Sequence, residues 1–132
     1  MPQELLIAVE LPVAKKESTH FFHEFSRRQG DYAIVGLAAH AIVRNGQFAD
    51  LRLGFFAVGD RPLLARAAAK LVDVAVGPDV LAAAAVALGE ELDPQEDQQA
   101  TPAMRRHLAK VLLSRCVSAL LSRPDLYTRS AA

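Results

Sequence analysis

An α+β two-layer sandwich, with three or four antiparallel strands covered on one face by three helices, is the fold class that this sequence predicts. Three observations predict it. Two long apolar runs, Tyr32 to Val43 and Phe48 to Val58, flank an Asn45-Gly46 dipeptide. Ahead of them lies a short branched run closed by a proline, and behind them the chain turns alanine-rich, with proline-started helical patterns to its end. Strands that come first and helices that follow segregate into separate layers rather than alternate in βαβ units.

The first element is Leu5-Leu6-Ile7-Ala8-Val9-Glu10-Leu11, apolar and branched and stopped by Pro12, which reads as a strand. Lys15 to Thr19 reads as a polar connection. The two runs around Arg44-Asn45-Gly46-Gln47 are expected to be long antiparallel strands, because Asn-Gly accepts positive φ at both central positions of a type I′ turn. The alanines of Gly36 to Ala41 would also permit a helix, and the turn decides for strands. Asp60-Arg61-Pro62 caps and starts a helix through Leu71, and Gly77-Pro78-Asp79 starts another that stops near Gly89. Asp93 to Gln99 is a polar loop with three acids. Thr101-Pro102 supplies an N-cap and a first-turn proline for a helix from 102 to 122, ended by Pro124. On it Met104, Leu108, Val111, Leu112, Cys116, Ala119 and Leu120 recur at three- and four-residue steps and should form its buried face. Tyr127 to Ala132 should fray.

Composition bounds the function. The 132 residues suit one domain that buries roughly two thirds of its unfolded surface. Fifteen basic and fifteen acidic residues cancel, which argues against a phosphate-neutralising, nucleic-acid-binding surface. A single cysteine, Cys116, sits within a helical apolar pattern, forms no internal disulfide and fits a reducing cytoplasm. The longest nearly uncharged run, Val74 to Leu88, is broken by Gly77, Pro78 and Asp79, and no basic-then-apolar leader opens the chain. A secreted or membrane-spanning protein is therefore not expected.

The most distinctive stretch is Phe22-His23-Glu24-Phe25-Ser26-Arg27-Arg28-Gln29-Gly30-Asp31-Tyr32-Ala33. A guanidinium is a planar fork of donors suited to phosphate, carboxylate or an electron-rich ring edge. The alternative is that Arg27 or Arg28 pairs with Asp31 or Glu24 and fixes a turn. His20 and His23 form an H-x-x-H pair without the further ligands a metal requires. His40 lies in an apolar strand and is expected to be half-buried and hydrogen-bonded, while His107 is expected to face solvent or a partner. Neither has a serine or cysteine nucleophile visible beside it in the sequence. Of the adjacent phenylalanines 55 and 56, one must leave the helix-covered side and would mark a docking surface.

The stretch from Phe22 to Ala33 resembles the pattern F-x-x-x-(S/A)-R-R-x-x-D-x-A that opens the C-terminal domain of the flavin-binding subunit in molybdenum hydroxylases, the carbon monoxide dehydrogenase and xanthine dehydrogenase group. Met104-Arg105-Arg106-His107-Leu108-Ala109-Lys110-Val111-Leu112 is similar to that family's final helix, Y-R-R-x-L-x-x-V-L. The resemblance implies the same sandwich and a candidate cofactor-binding set of His23, Arg27, Arg28 and Asp31 near the isoalloxazine edge of FAD. Relatives often carry a lysine where this chain has His23 or Glu24. Flavin subunits also have a larger N-terminal portion whose glycine-rich loops hold the FAD pyrophosphate. Here the seven glycines are scattered, and no G-G-x-S, T-x-G-G or G-x-G-x-x-G run occurs.

What the resemblance implies is therefore a single domain, residues 1–132, without the N-terminal FAD-binding portion. It would buttress a flavin subunit and its contacts with molybdenum-cofactor and iron-sulfur subunits, supporting electron transfer through FAD without catalysis of its own. The other reading is a free-standing interaction or dimerisation domain, a homodimer without a redox role.

Overall fold

The structure is a computed structural model that describes residues 5–122. Four strands, β1 (Ser18–Phe25), β2 (Val35–Arg44), β3 (Gln47–Phe56) and β4 (Leu63–Leu64), form one antiparallel sheet in the order β1-β2-β3-β4. A 3-10 helix (Arg66–Leu71) and two helices, α1 (Pro78–Glu91) and α2 (Pro102–Ser122), form a second layer on one face of it, the 3-10 helix and α2 against the strands and α1 against those two. This is the expected α+β two-layer sandwich with a four-stranded antiparallel sheet and three helices. The ends of the chain, including Pro124 and Tyr127 to Ala132, lie outside the described residues.

The turn between β2 and β3 forms as its sequence dictates, with Asn45 at φ 52° and Gly46 at φ 74°. The register shifts between Ile42 and Val43, since Val43 faces Phe48 while Ile42 faces Asp50. The period of two then puts Val35, Leu37, Ala39 and Ala41 of β2 and Leu51, Leu53 and Phe55 of β3 under the helices, all of them buried. β2 starts only at Val35 rather than Tyr32, because Ile34 N donates to Phe25 O (2.7 Å) to close the loop from β1. β3 ends at Phe56 because Ala57 turns into the left-handed region at φ 58°.

Three expectations are corrected. Leu5 to Leu11 forms no strand: it pairs with nothing among the described residues and its apolar side chains stand in solvent. The edge strand is instead Ser18–Phe25, which takes in the end of the supposed connection Lys15 to Thr19. Its mixed Ser-Thr-His-Phe-Phe-His-Glu-Phe composition hides the alternation that puts Phe21 and Phe25 on the covered side. The helix expected from Asp60 to Leu71 is shorter. Leu63 and Leu64 pair with Phe55 and Gly54, and Ala65 N donates to Leu53 O (2.8 Å), so the chain is drawn into the sheet before one 3-10 stretch begins. That stretch has no side-chain cap of its own, but Glu91 Oε2 at the end of α1 accepts its first amide, Arg66 N, at 2.8 Å.

Helix α2 begins as expected, with Thr101 Oγ1 accepting Met104 N (3.3 Å) and Pro102 in the first turn. Its buried stripe is Arg105, Ala109, Leu112, Leu113, Cys116, Val117 and Leu120. The expected face is therefore rotated by about one residue: Met104 is exposed, Leu108, Val111 and Ala119 lie at the margins, and an arginine takes the position that the methionine was expected to fill.

An alanine held at positive φ costs about 1 kcal/mol, and a β-branched residue there costs more. Ala57→Gly should leave the unfolding free energy within about 0.5 kcal/mol of the parent, since relief of strain and added chain entropy oppose each other. Ala57→Val should lose about 1–2 kcal/mol. Urea denaturation of both variants checks the pair.

Candidate functional site

The loop that joins β1 to β2 carries the double arginine, and short hydrogen bonds fold it tightly. Ser26 Oγ donates to Arg28 O (2.9 Å), Asp31 N to the same carbonyl (3.2 Å) and Tyr32 N to Asp31 Oδ1 (2.9 Å). Gly30 at φ 80° supplies the left-handed residue that the turn requires. The two arginines then diverge. Arg27 Nη2 reaches across to the loop before α2, donating to Gln98 O at 2.6 Å and lying 3.4 Å from Gln99 O. Arg28 Nε stands 3.4 Å from Asp31 Oδ2, with its own side chain 84% exposed. Arg27 thus acts between segments and Arg28 locally. Of the candidate set, Arg28 and Asp31 are brought together, and His23 stands apart on β1 with its ring edge-on to Phe25 at 5.5 Å.

The second double arginine meets the same loop from the other side. Arg105, only 5% exposed, donates through Nη1 to Ile34 O (2.6 Å) and Ala57 O (3.0 Å) and through Nη2 to Asp97 Oδ2 (2.5 Å). Asp97 Oδ1 in turn accepts the amides of Gln99 (2.8 Å) and Ala100 (3.0 Å). Arg106 Nη2 adds a bond to Leu92 O (3.3 Å). The amides of Ala100 and Gln99, and then the Arg105 guanidinium, hold the Asp97 carboxyl below its usual value. Tyr32, Ala33, Ala57, Gly59, Gln95, Asp97, Gln99 and Arg105 together line a shallow polar depression at this end of the sheet. Arg105 Nε is buried without a hydrogen-bond partner.

The uncovered face of the sheet is a second feature. Phe55 is buried under the helices, and Phe56 leaves on the other side, as adjacent strand residues must. The Phe56 ring lies over Gly36, where an added Cβ would meet ring atoms at 1.9–2.5 Å, and it stacks on Phe22 at 5.9 Å between centroids. Phe22 (65%) and Leu64 (66%) stay exposed beside it, so this face carries an apolar patch.

Histidines mark the far end of that face. His40 Nε2 is 3.0 Å from Ser18 Oγ, and His40 Nδ1 is 3.5 Å from Asp50 Oδ2, which also neighbours Arg52 Nε at 3.9 Å. A serine, a histidine and an aspartate thus meet in space where none is near another in sequence: the bulge after Ile42 brings Asp50 to the His40 side, where an unbroken register from the turn would set it opposite Ala41, and Ser18 joins through the pairing of β1 with β2. Ser18 is buried while the His40 and Asp50 side chains stay partly exposed, and the segment Leu11 to Lys15 lines the same depression, so this array ties β1 to β2 and β3 at the margin of the sheet face. His40 is half-buried and hydrogen-bonded, and His107 is exposed, both as expected. His20 and His23 differ by an odd number of residues on one strand and face opposite sides of the sheet, so they cannot share a metal. Among the described residues no group of three potential ligands could hold one, and no helix is long and apolar enough to cross a membrane. Burial pushes the Cys116 thiol up to about 12, leaving it protonated and unreactive.

Comparison with known proteins matches residues 20–120 to the CO dehydrogenase flavoprotein C-terminal domain family. Among curated relatives, the 6-hydroxypseudooxynicotine dehydrogenase complex subunit alpha of Paenarthrobacter nicotinovorans is 30% identical over 93% of this chain and 42% of its own length. The carbon monoxide dehydrogenase medium chain of Afipia carboxidovorans is 32% identical over 88% of this chain and 41% of its own length. The chain thus spans about two fifths of the relatives that it matches. Among solved structures, a carbon monoxide dehydrogenase from Hydrogenophaga pseudoflava that lacks the Mo-pyranopterin moiety has the same fold, with a TM-score of 0.80 at 24% identity over 86% of this chain and 40% of that one.

Arg105→Met keeps most of the side-chain volume and leaves the carbonyls of Ile34 and Ala57 without their donor. It should cost about 2–4 kcal/mol of stability by urea unfolding. The depressed Asp97 carboxyl contributes stability that is fully present above the ordinary value of 3.8 and is lost as pH falls through its lower folded value. The acid limb of a Tm-against-pH profile should therefore become shallower in Asp97→Asn than in the parent chain.

Proposed function

The chain belongs to the CO dehydrogenase flavoprotein C-terminal domain family, and from that premise we propose that it buttresses the flavin subunit of a molybdenum hydroxylase and the contacts of that subunit. In this reading it assists electron transfer through FAD and performs no bond chemistry itself. Its partners are the N-terminal FAD-binding portion of the subunit and, in the assembly, the molybdenum-cofactor and iron-sulfur subunits. Its compartment is a reducing cytoplasm.

The observation that carries the reading is the uncovered sheet face. Phe22, Phe56 and Leu64 form an apolar patch on a sheet whose other face is already closed by helices. A domain with a complete core of its own has no internal use for a second apolar face, and covering it needs another polypeptide.

The residues present suit one edge of a flavin and not its pyrophosphate. Gly30 supplies the left-handed residue of its turn and Gly36 is covered by the Phe56 ring, and no glycine run of the kind that cradles a phosphate lies beside either. Arg27 spends its guanidinium on the carbonyl of Gln98 and fixes the loop behind it. Arg28, exposed and oriented by Asp31, is the donor left to meet an electron-rich ring edge, with His23 presented from β1. FAD, when held by the intact subunit, supplies the redox chemistry. The role of this chain's residues there is to orient one edge of the ring and to exclude water from it.

The test is a medium chain of the Afipia relative in which residues 1–132 replace the matching stretch. It should purify with FAD at close to the parental ratio, whereas the free chain should leave the fluorescence anisotropy of micromolar FAD unchanged. Phe22→Asp, on the exposed patch, should weaken flavin retention by the chimera roughly tenfold while lowering the Tm of the free chain by only a few degrees, the share of its stack on Phe56. A chimera that folds without FAD, or whose retention ignores the substitution, would overturn the reading.

A further inference from the structure

We propose that Leu5–Leu11 is a β-strand donated by this domain to the flavin-binding portion of the subunit, where it pairs with the edge of a sheet. The inference rests on the reading just given, and three observations lead to it.

The segment has the chemistry of a strand and the surroundings of none. Its alternate residues Leu5, Ile7, Val9 and Leu11 would form one apolar face, with Leu6, Ala8 and Glu10 on the other, the pattern of a strand covered on one side. Pro12 ends it at a defined point. Yet in the folded domain Leu5, Leu6, Ile7, Val9, Leu11 and Val13 are 69–95% exposed, and no strand of the sheet pairs with them. Such a run standing alone in water invites pairing with another chain, because its amides and carbonyls are unpaired and its side chains unburied.

Its exit from the domain points to the uncovered face. Ser18 N bonds to Lys15 O (2.9 Å) in the turn before β1, and Leu11 to Lys15 line a depression together with His20, His40, Ile42 and Arg52. These residues lie on the same side of the sheet as Phe22 and Phe56. The strand therefore leaves the domain on the face proposed to meet the flavin-binding portion, from the end of that face opposite Phe56.

The comparisons select this occupant over a second copy of the chain. The family's domain match starts at residue 20 and leaves the segment out. The match to the Paenarthrobacter subunit extends over 93% of the chain, which is too much of it to start as late as residue 20. That relative therefore shares sequence ahead of the domain, and more than half of its length lies outside the match. A segment shared with longer relatives, outside the domain and unburied by it, belongs physically to the remainder of such a subunit. Backbone pairing would supply affinity and the apolar face would supply register, as in other strand-addition contacts.

Amide hydrogen exchange read by mass spectrometry tests this in the free chain and in the chimera described above. In the free chain residues 6–11 should exchange as an unstructured peptide does, and in the chimera they should slow by about 100-fold or more. Ile7→Pro should abolish that protection and reduce flavin retention by the chimera while leaving the Tm of the free chain unchanged. A chimera that holds FAD with residues 6–11 still exchanging freely overturns this inference and spares the buttress reading. A chimera that fails to fold or to hold FAD overturns both. Protection in the free chain that grows with its concentration overturns the inference in favour of a second copy.

Discussion

The guanidinium of Arg105 is the point at which the separate parts of this domain are joined. It leaves α2, passes into the interior, and ends on the carbonyl that precedes β2, the carbonyl that follows β3 and the carboxylate of the loop before its own helix. The first two are already neighbours through the pairing of β2 with β3, and the third lies in a loop that no strand pairing ties to them. Apolar contact would pack α2 on the sheet at many registers, because side-chain burial is not directional. A buried fork of donors is satisfied at one register only, since a carbonyl that misses its donor costs more than a well-made bond returns. The charge is tolerated because Asp97 faces it, and Asp97 is kept ionised first by two amides of its own loop.

The same loop is gripped from outside by Arg27, so the two arginine pairs of the sequence serve one piece of backbone. This joins the motif at the end of β1 to the motif at the start of α2, some seventy residues on. Arg28 is left over from this arrangement, and that frees it for contact with whatever approaches. The division of labour between neighbouring arginines, one turned inward to carbonyls and one outward, would be invisible if the pair were read as a single basic feature.

What was legible in the sequence follows from which forces are local. The β2–β3 hairpin could be read because Asn45-Gly46 fixes its own turn, and α2 could be read because Thr101-Pro102 starts it without outside help. The opposite exits of Phe55 and Phe56 followed from the period of two. Strand β1 was not legible, because its membership in the sheet comes from pairing with β2 and its composition is half polar. Leu5 to Leu11 misled for the converse reason: its local preference is strand, and a strand exists only where an edge is available. The helix expected from Asp60 shortened because β3 captured Leu63 and Leu64 first. At the site, the importance of the R-R motifs was visible and the assignment of burial was not. An arginine placed four, seven and eight residues ahead of Ala109-type positions, on the apolar stripe of a helix, is the sign that would have marked Arg105.

The sheet is a meander in which every strand pairs with the one next to it in sequence, and the tightest pairing is closed by a two-residue turn. Such contacts form early, since little chain entropy is spent in closing them. The Arg105 bonds join residues 71 and 48 positions apart and require α2 to have docked already. Topology therefore favours a hairpin that zips first and a lock that closes last. Interactions made after the barrier act on the rate of escape from the native state, so the lock governs how long the folded domain endures rather than how quickly it is reached.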